Sequence, residues 1–167
     1  DMGHHLSKNY QRNVSTAYNN LGIYAKESGN LVEAENYYLK ALEKLDSLAN
    51  PRPEKVVSIY FNLGILASKR GQNDKAINHM QYALDTQRKV FGKDNFRSAL
   101  MYGALGGVYQ GQGEMKKAYS YFQKSMALYK EFLSPDHPEI AVAQQRIAKY
   151  WLKNDQPEKA IPIIEKA

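Results

Sequence analysis

The sequence repeats with a period of 42 residues, and this period constrains the fold more than any other feature. A large apolar residue recurs at one register position, at Leu21, Leu63, Leu105 and Ile147. A small residue follows each of them, at Gly22, Gly64, Gly106 and Ala148. A second small residue and a bulky apolar one recur further along each period, as Ala34 with Tyr38, Ala76 with Met80, Ala118 with Phe122 and Ala160 with Ile164. A fixed period of this size is typical of a protein built from stacked repeats.

Two stretches in each period have apolar residues three and four positions apart, which predicts two helices per repeat. A turn separates them at Gly29, Gly71 and Gly113, and Asp155 takes the corresponding place in the fourth period. We predict a first helix from about Lys8 to Ser28. Its expected inward face contains Val14, Ala17, Tyr18, Leu21, Tyr24 and Ala25. Asn30, followed three residues later by Glu33, predicts a capping box at the start of the second helix.

The boundaries of the repeats predict four units within one domain, residues 8–167. The units span about residues 8–50, 51–92, 93–134 and 135–167. The opening Asp1–His5 fits no repeat register, and we predict that residues 1–7 are a disordered tail or an expression remnant. The chain ends inside its eighth helix with Ile161, Ile163 and Ile164 uncovered, which predicts a longer array or a contact with a second copy.

The residues of the repeat also carry a resemblance to a known family. Leu-Gly, a turn glycine and then Ala-x3-[Tyr/Met/Phe/Ile] resemble the tetratricopeptide repeat, or TPR, a helix–turn–helix unit whose usual length is about 34 residues. The longer period and the SPDHPEIA junction at Ser134–Ala141 are similar to the kinesin-light-chain type of this repeat. The resemblance implies an all-α, right-handed α-solenoid of about four TPR units that binds other proteins. It implies no cofactor and no enzymatic activity.

Composition excludes several classes of function. No run approaches the ~18 apolar residues of a membrane-spanning helix, so no membrane partner is expected. The chain has no cysteine, which excludes disulfides, a thiolate nucleophile and cysteine-based zinc sites, and it fits our predicted location in the cytoplasm. The formal charge of +6, with a pI near 9.3, favours an acidic partner.

Stacked repeats bind their partners on the face formed by the first helix of each unit. By resemblance to the family, the groove residues are Asn19, Asn20, Ile23, Lys26, Phe61, Asn62, Ile65, Lys69, Gly103, Gly107, Gln110, Gln145, Arg146, Lys149 and Lys153. Lysine and arginine dominate the charged members, and the amide side chains can both donate to and accept from a peptide backbone. We therefore expect a peptide or helical segment with acidic residues. The alternative is that these residues form a solvated helix face with no dedicated partner.

Several more specific sites find little support in the sequence. The run GALGGVYQGQG has neither the spacing nor the preceding strand of a nucleotide-binding loop. We interpret its glycines, Gly103 and Gly107 among them, as a bare groove floor where a bulky ligand side chain, or a neighbouring helix, can approach the backbone. The Lys, Asn and Arg pattern of the family's carboxylate clamp is matched only by Asn62 or Arg146, so a chaperone-tail adaptor is not expected. His79 and His137 have no partner at helical spacing that would make a metal pair. Nothing in the sequence brings a Ser, His and Asp together for catalysis.

Two other functions compete with the peptide groove. The chain could be a regulatory or self-association domain of a larger signalling protein, with the uncapped C-terminal helix as the contact. RNA or DNA binding through the basic face is the weaker alternative, because aromatic side chains for base stacking are scarce in the predicted groove.

Overall fold

The computed structural model describes residues 2–48 and 51–165, with side chains from residue 9 onward. These residues form eight helices and no strand, which confirms the predicted all-α fold class. The helices are α1 (Met2–Glu27), α2 (Leu31–Asp46), α3 (Pro53–Lys69), α4 (Asn73–Phe91), α5 (Phe96–Gly111), α6 (Met115–Phe132), α7 (Pro138–Lys153) and α8 (Pro157–Ile164). The backbone of α1 begins at Met2, whereas the sequence predicted a start at about Lys8.

The repeat-register glycines allow the two helices of each hairpin to pack closely. A Cβ atom at Gly22 would lie 2.5 Å from the ring of Tyr38, and one at Gly106 would lie 2.5 Å from the ring of Phe122. Because real Cβ atoms do not approach so closely, each glycine makes room for the bulky residue of the second helix. Tyr38 and Phe122 are accordingly almost fully buried.

The turn between the two helices of a hairpin uses the left-handed backbone region. Gly29, Gly71 and Gly113 have φ values of 83°, 71° and 80°. Glycine adopts this conformation without steric cost, which explains its recurrence. In the last hairpin Asp155 occupies the position with φ of 52°, so a residue with a side chain takes the same turn.

The chain consists of two compact units, residues 1–90 and 91–167. In unit 1, one core cluster joins Ala34, Tyr38, Ala41 and Leu45 of α2 to Ile59, Leu63 and Leu66 of α3. In unit 2, Ala118 and Phe122 of α6 share a cluster with Ile147 of α7, and a second cluster joins Ala99, Tyr129, Ile140 and Ala143. In both units the second helix of one hairpin therefore packs against the first helix of the next.

The predicted inward face of α1 is partly wrong. Leu21 and Tyr24 are 45% and 72% exposed, and Ala17 is exposed as well. Ala25 is buried as predicted, and Ser15, which was not predicted to face inward, is buried as well. In α3, the equivalent apolar residues are covered by the hairpin that precedes them, and no helix of the described residues covers this side of α1.

The predicted helix caps also need correction. Asn30 makes no side-chain capping bond, because its backbone (φ −80°, ψ 67°) lies outside the extended region that a capping residue normally adopts. A full capping box is found instead at α5, where Asn95 accepts from Ser98 and the Ser98 hydroxyl accepts from the Asn95 amide. His137 caps α7, since its Nδ1 accepts from the Glu139 amide at 3.2 Å.

Candidate functional site

The first helices of neighbouring hairpins touch through the same register position in each unit. In unit 1, Asn62 Nδ2 of α3 donates to Asn19 Oδ1 of α1 at 3.0 Å. In unit 2, Arg146 Nη1 of α7 makes a longer bond of 3.5 Å to the Gly103 carbonyl oxygen of α5. The two partners lie 43 residues apart in both cases, so the repeat reproduces the contact. We call the side of these helices that carries the contact the first-helix face.

Around the asparagine pair, the first-helix face of unit 1 is partly apolar. Ile23, Phe61 and Ile65 are half-buried, while Asn20 is exposed. All of these were predicted groove residues. The structure thus brings together amides that can bond a peptide backbone and apolar side chains that a ligand could cover.

Two of the predicted groove residues in unit 1 are lysines. Lys26 at the end of α1 is half-buried, and burial lowers its pKa; Glu27 opposes this shift and Lys69 of α3 adds to it. A lowered ammonium pKa shows that this environment disfavours the positive charge. An anionic group near Lys26 and Lys69 would offset the repulsion between the two ammonium groups.

The bare floor predicted at Gly103 is not open. A Cβ atom there would lie 3.1 Å from Arg146 Nη1 and 3.2 Å from Ser125 Oγ, and Gly103 itself is buried. The missing side chain makes room for the arginine rather than for a ligand. Gly107, in contrast, is exposed, and no atom lies within 4 Å of the position that a Cβ would take, so it leaves open backbone on α5.

The remaining predicted residues of unit 2 are polar and basic. Gln145, Arg146, Lys149 and Lys153 of α7 are exposed. The Arg146 guanidinium also lies over the Phe122 ring, with 5.5 Å to the ring centroid, which orients it. On α5, the amide nitrogen of Gln110 is buried and has no hydrogen-bond partner.

Sequence reasoning missed the residues that support this face. Both lie on α6: Ser125 is next to Gly103, and the Phe122 ring lies under the Arg146 guanidinium. The register offered a signal, because Gly103 has the position of Asn19 and Arg146 that of Asn62. Where a small residue takes the first of these two positions and a large residue the second, the large side chain is expected to fill the space, which is then not open to a ligand.

Aromatic side chains cluster on other parts of unit 2. The Tyr119 ring stacks on Tyr150, with 4.3 Å between centroids, and meets the Trp151 ring edge-on at 5.0 Å. Tyr109 stacks on Tyr121 at 5.3 Å. These rings pack on one another, as expected for tyrosines that join helices.

Two other kinds of feature were searched for in the described part of the chain, a metal-binding cluster and a membrane-spanning helix. Residues 2–48 and 51–165 hold no group of three or more His, Cys, Asp or Glu side chains suited to a metal ion. Among the same residues, no helix combines the length and apolar character needed to cross a bilayer.

The family comparison matches the tetratricopeptide repeat over residues 13–89 and 97–167. These stretches cover most of the chain, so the protein belongs to the tetratricopeptide repeat family. No curated protein sequence matches the chain.

Solved structures with similar folds have low sequence identity. BtubC (BKLC) from P. vanneervenii is 18% identical with a TM-score of 0.80, and the match covers 91% of this chain and 61% of BtubC. The nearly identical TPR-like repeats assigned to a kinesin light chain of Podosopora anserina are 18% identical with a TM-score of 0.69, covering 91% of this chain and 72% of that one. The Rap conjugation gene regulator of plasmid pLS20, in complex with the Phr* peptide, is 20% identical with a TM-score of 0.71, and the match covers 85% of this chain and 38% of Rap. The chain therefore spans about three fifths of BtubC and less of Rap.

Proposed function

We propose that the protein is a non-enzymatic interaction module whose first-helix faces bind a peptide or helical segment bearing acidic residues. The main support is the contact at equal register in both units, Asn62 with Asn19 and Arg146 with Gly103. Each contact links two neighbouring first helices, so groups from both can meet one ligand segment. The similarity to Rap, whose structure holds a peptide, supports a peptide as the class of ligand.

The polar and charged groups on this face favour an extended acidic segment. Asn19, Asn20 and Asn62 offer amides for the ligand backbone. Lys26 with Lys69 in unit 1, and Arg146 with Lys149 and Lys153 in unit 2, offer cations for carboxylates. Arginine held over an aromatic ring is well placed for a bidentate bond to a carboxylate.

In unit 2, Gly107 is proposed to be the point at which the ligand comes closest to the backbone of α5. Its exposed backbone, with no neighbouring atom within 4 Å of the Cβ position, leaves space for a ligand side chain. Gly107→Leu should therefore abolish binding while the helix content and melting temperature stay close to those of the wild type. Ser120→Leu introduces the same side chain at an exposed site on the second helix α6 and serves as the matched control.

The test begins with selection from a displayed library of random peptides. The proposal expects enrichment of Asp- and Glu-containing peptides, whose affinity falls with added salt. Changing Lys149 and Lys153 together to Gln should weaken them, whereas the exposed α6 pair Lys116 and Lys130 changed to Gln should not. Selection of neutral peptides, or an equal loss of affinity in the two double-lysine variants, would contradict the acidic ligand. Unchanged affinity in Gly107→Leu would contradict the site.

A random-sequence RNA oligonucleotide tests the alternative partner. The proposal expects weak binding that does not depend on the first-helix residues. Binding with a steep salt dependence, lost in the Lys149 and Lys153 variant, would favour nucleic acid instead.

A further inference from the structure

Three of the four hairpins bring two aromatic rings together at the same register positions, one ring from each helix. The centroids of the paired rings lie 6.2 Å apart in the first hairpin, 5.7 Å in the second and 6.0 Å in the third. The pairs are Tyr18 with Tyr37, Tyr60 with His79, and Tyr102 with Tyr121. Shifting each pair by one period gives the next, so the ring pair is a feature of the repeat.

In the first and third hairpins, a lysine of the second helix covers the ring pair. Lys40 Nζ lies 5.8 Å from the centroid of the Tyr18 ring. Lys124 Nζ lies 5.6 Å from the centroid of Tyr102 and 5.4 Å from that of Tyr121. An ammonium over an aromatic face is attracted by the electron density of the ring. The fold therefore places an ammonium on this ring pair in two hairpins.

The second hairpin carries a third ring where the other two carry the lysine. Tyr82 has the register position of Lys40 and Lys124, and its ring centroid lies 4.3 Å from that of Tyr60. Tyr82 is 49% exposed. Among the side chains that the structure describes, no lysine or arginine lies over the ring of Tyr60 or Tyr82. We call Tyr60, His79 and Tyr82 the three-ring surface.

Carboxylates lie beside the three-ring surface. Asp46, the last residue of α2, acts on Tyr60: burial, the Tyr82 ring and the Asp46 carboxylate raise the pKa of Tyr60, in that order. Asp85 lies three positions after Tyr82 on the same side of α4 and is exposed. Negative charge next to aromatic faces favours a cation as the bound group.

His79 contributes a ring and no positive charge. Burial lowers the pKa of His79 from its ordinary value of 6.5; Lys75 adds to this shift and Glu35 opposes it. The imidazole is therefore neutral at pH 7. A bound cation would meet an uncharged ring there.

The three-ring surface and the first-helix face lie on different sides of α3. Tyr60 and Asn62 are two positions apart, which corresponds to about 200° around a helix. Asn62 makes the contact to α1, whereas Tyr60 contacts α4. A ligand on the three-ring surface is thus separate from the acidic segment proposed for the first-helix face, and either proposal can fail without the other.

We propose that the three-ring surface binds a lysine side chain of a partner protein, with its ammonium over the rings of Tyr60 and Tyr82. The occupant is a lysine because the repeat itself places a lysine ammonium on the equivalent rings of two other hairpins. The carboxylates of Asp46 and Asp85 provide the complementary charge.

Three variants test the site. Tyr82→Lys gives the second hairpin the residue that the first and third have, so it should fold like the wild type. Its own ammonium should occupy the surface and weaken a lysine-containing ligand about fivefold or more. Tyr24→Lys is the matched control, because it makes the same exchange at a tyrosine that is 72% exposed on α1, and it should leave the affinity unchanged. Asp46→Asn keeps the rings and should weaken binding about twofold.

The measurement begins with a displayed library of random peptides, selected on the wild type and depleted of peptides that also bind Tyr82→Lys. The peptides that survive should contain lysine. Their Kd for the wild type and each variant is then measured by fluorescence anisotropy, with circular dichroism to verify folding. Replacing the peptide lysine with norleucine keeps the methylene chain and removes the ammonium, so it should weaken binding as much as Tyr82→Lys does.

Other outcomes would overturn the proposal. It is wrong if no selected peptide depends on Tyr82, or if the dependent peptides lack lysine. Equal affinity of the norleucine peptide would indicate an apolar contact, and an equal loss in Tyr24→Lys would indicate general repulsion by the added charge. Should Tyr82→Lys not fold, Asp46→Asn, at an exposed position, replaces it, and unchanged affinity in that variant would contradict the site. Gly107→Leu, which tests the first-helix face, should leave these peptides bound.

Discussion

Two asparagines meet between the first helices of unit 1, whereas an arginine reaches a glycine at the same register in unit 2. The pairs differ in chemistry but fill a similar space. Unit 1 fills it with two side chains of medium size, and unit 2 with one large side chain opposite a residue that has none. The repeat therefore retains the contact rather than the residues that make it. The two units also present different surfaces, since unit 1 offers amides and unit 2 a guanidinium oriented over Phe122.

The largest expected difference between the units concerns the small residues of the hairpins. Gly106→Ala should lower the free energy of unfolding by about 2–3 kcal/mol, because the new Cβ would lie 2.5 Å from the rigid Phe122 ring. Gly64→Ala in unit 1 would meet Met80 Cγ at the same distance. Because methionine can change rotamer, Gly64→Ala should lower the free energy of unfolding by about 1 kcal/mol less than Gly106→Ala does. Urea unfolding of both variants gives the comparison, and equal losses would show that the flexibility of Met80 is not used.

A buried amide in unit 1 predicts the next largest effect. Gln87 is 0% exposed, and neither its side-chain oxygen nor its nitrogen has a hydrogen-bond partner. The same register position holds Leu45 in the first hairpin and Tyr129 in the third, both buried. Gln87→Leu should raise the free energy of unfolding by about 1–2 kcal/mol, because it removes an unsatisfied polar group. Thermal unfolding measures it, and a lower melting temperature would indicate that the amide has a stabilising role.

One buried tyrosine in each unit should respond oppositely to loss of its hydroxyl. The Tyr38 hydroxyl is buried without a partner, so Tyr38→Phe should be neutral or stabilising by up to about 1 kcal/mol. Phe122 already has this position in unit 2. The Tyr129 hydroxyl interacts with Glu139, which helps to raise its pKa, so Tyr129→Phe should destabilise by about 1 kcal/mol. Destabilisation of equal size in both variants would contradict the difference.

Alkaline unfolding provides a second measurement on the same pair. Burial raises the pKa of Tyr38 and of Tyr129 to about 12, from the ordinary value of 10.0. Above pH 10 the unfolded chain therefore loses these protons before the folded one does, so stability falls as the pH rises from 10 to 12. Each phenylalanine variant should show a shallower fall than the wild type.

The smallest predicted effect concerns the turns. Asp155 takes the left-handed conformation that glycine takes in the other three hairpins. Asp155→Gly should stabilise unit 2 by about 0.5–1 kcal/mol, because it removes strain at an exposed site. Gly71→Asp is the reciprocal control in unit 1, where nothing lies within 4 Å of the Cβ position, and it should lose a similar amount. If both variants leave the melting temperature unchanged, the turns carry no strain.

The period predicted the fold class and the fixed register positions of the small and bulky residues, which the structure shows in contact at Gly22 with Tyr38 and at Gly106 with Phe122. It did not reveal that Leu21 is exposed, since periodicity assigns a position to a face but not a neighbour to that face. The caps at Asn95 and His137 were also missed. Both lie at one register position in the junctions between hairpins, where the residue type differs from one period to the next, so the period alone does not predict a cap.

The candidate site was predictable only in part. The face of each first helix follows from the helical period, and the structure places Asn19 beside Asn62 as that period requires. At Gly103 the bare backbone is approached by the neighbouring helix α7, through Arg146, and not left open to a ligand; a glycine in a helix gives no sign of which of the two fills its place. Only a residue 43 positions later in the chain supplies the answer.

One buried bond shows how such repeats can diverge. In the first hairpin the Ser15 hydroxyl of α1 donates to the Ala41 carbonyl oxygen of α2 at 2.8 Å, and in the third the Ser125 hydroxyl of α6 donates to the Ala99 carbonyl oxygen of α5 at the same distance. The donor has moved to the opposite helix while serine and alanine have exchanged places at matching register positions. Paired exchanges of this sort alter two residues of the sequence and leave the architecture intact. Proteins of this architecture can accordingly differ down to 18% identity and still superpose closely over most of the chain.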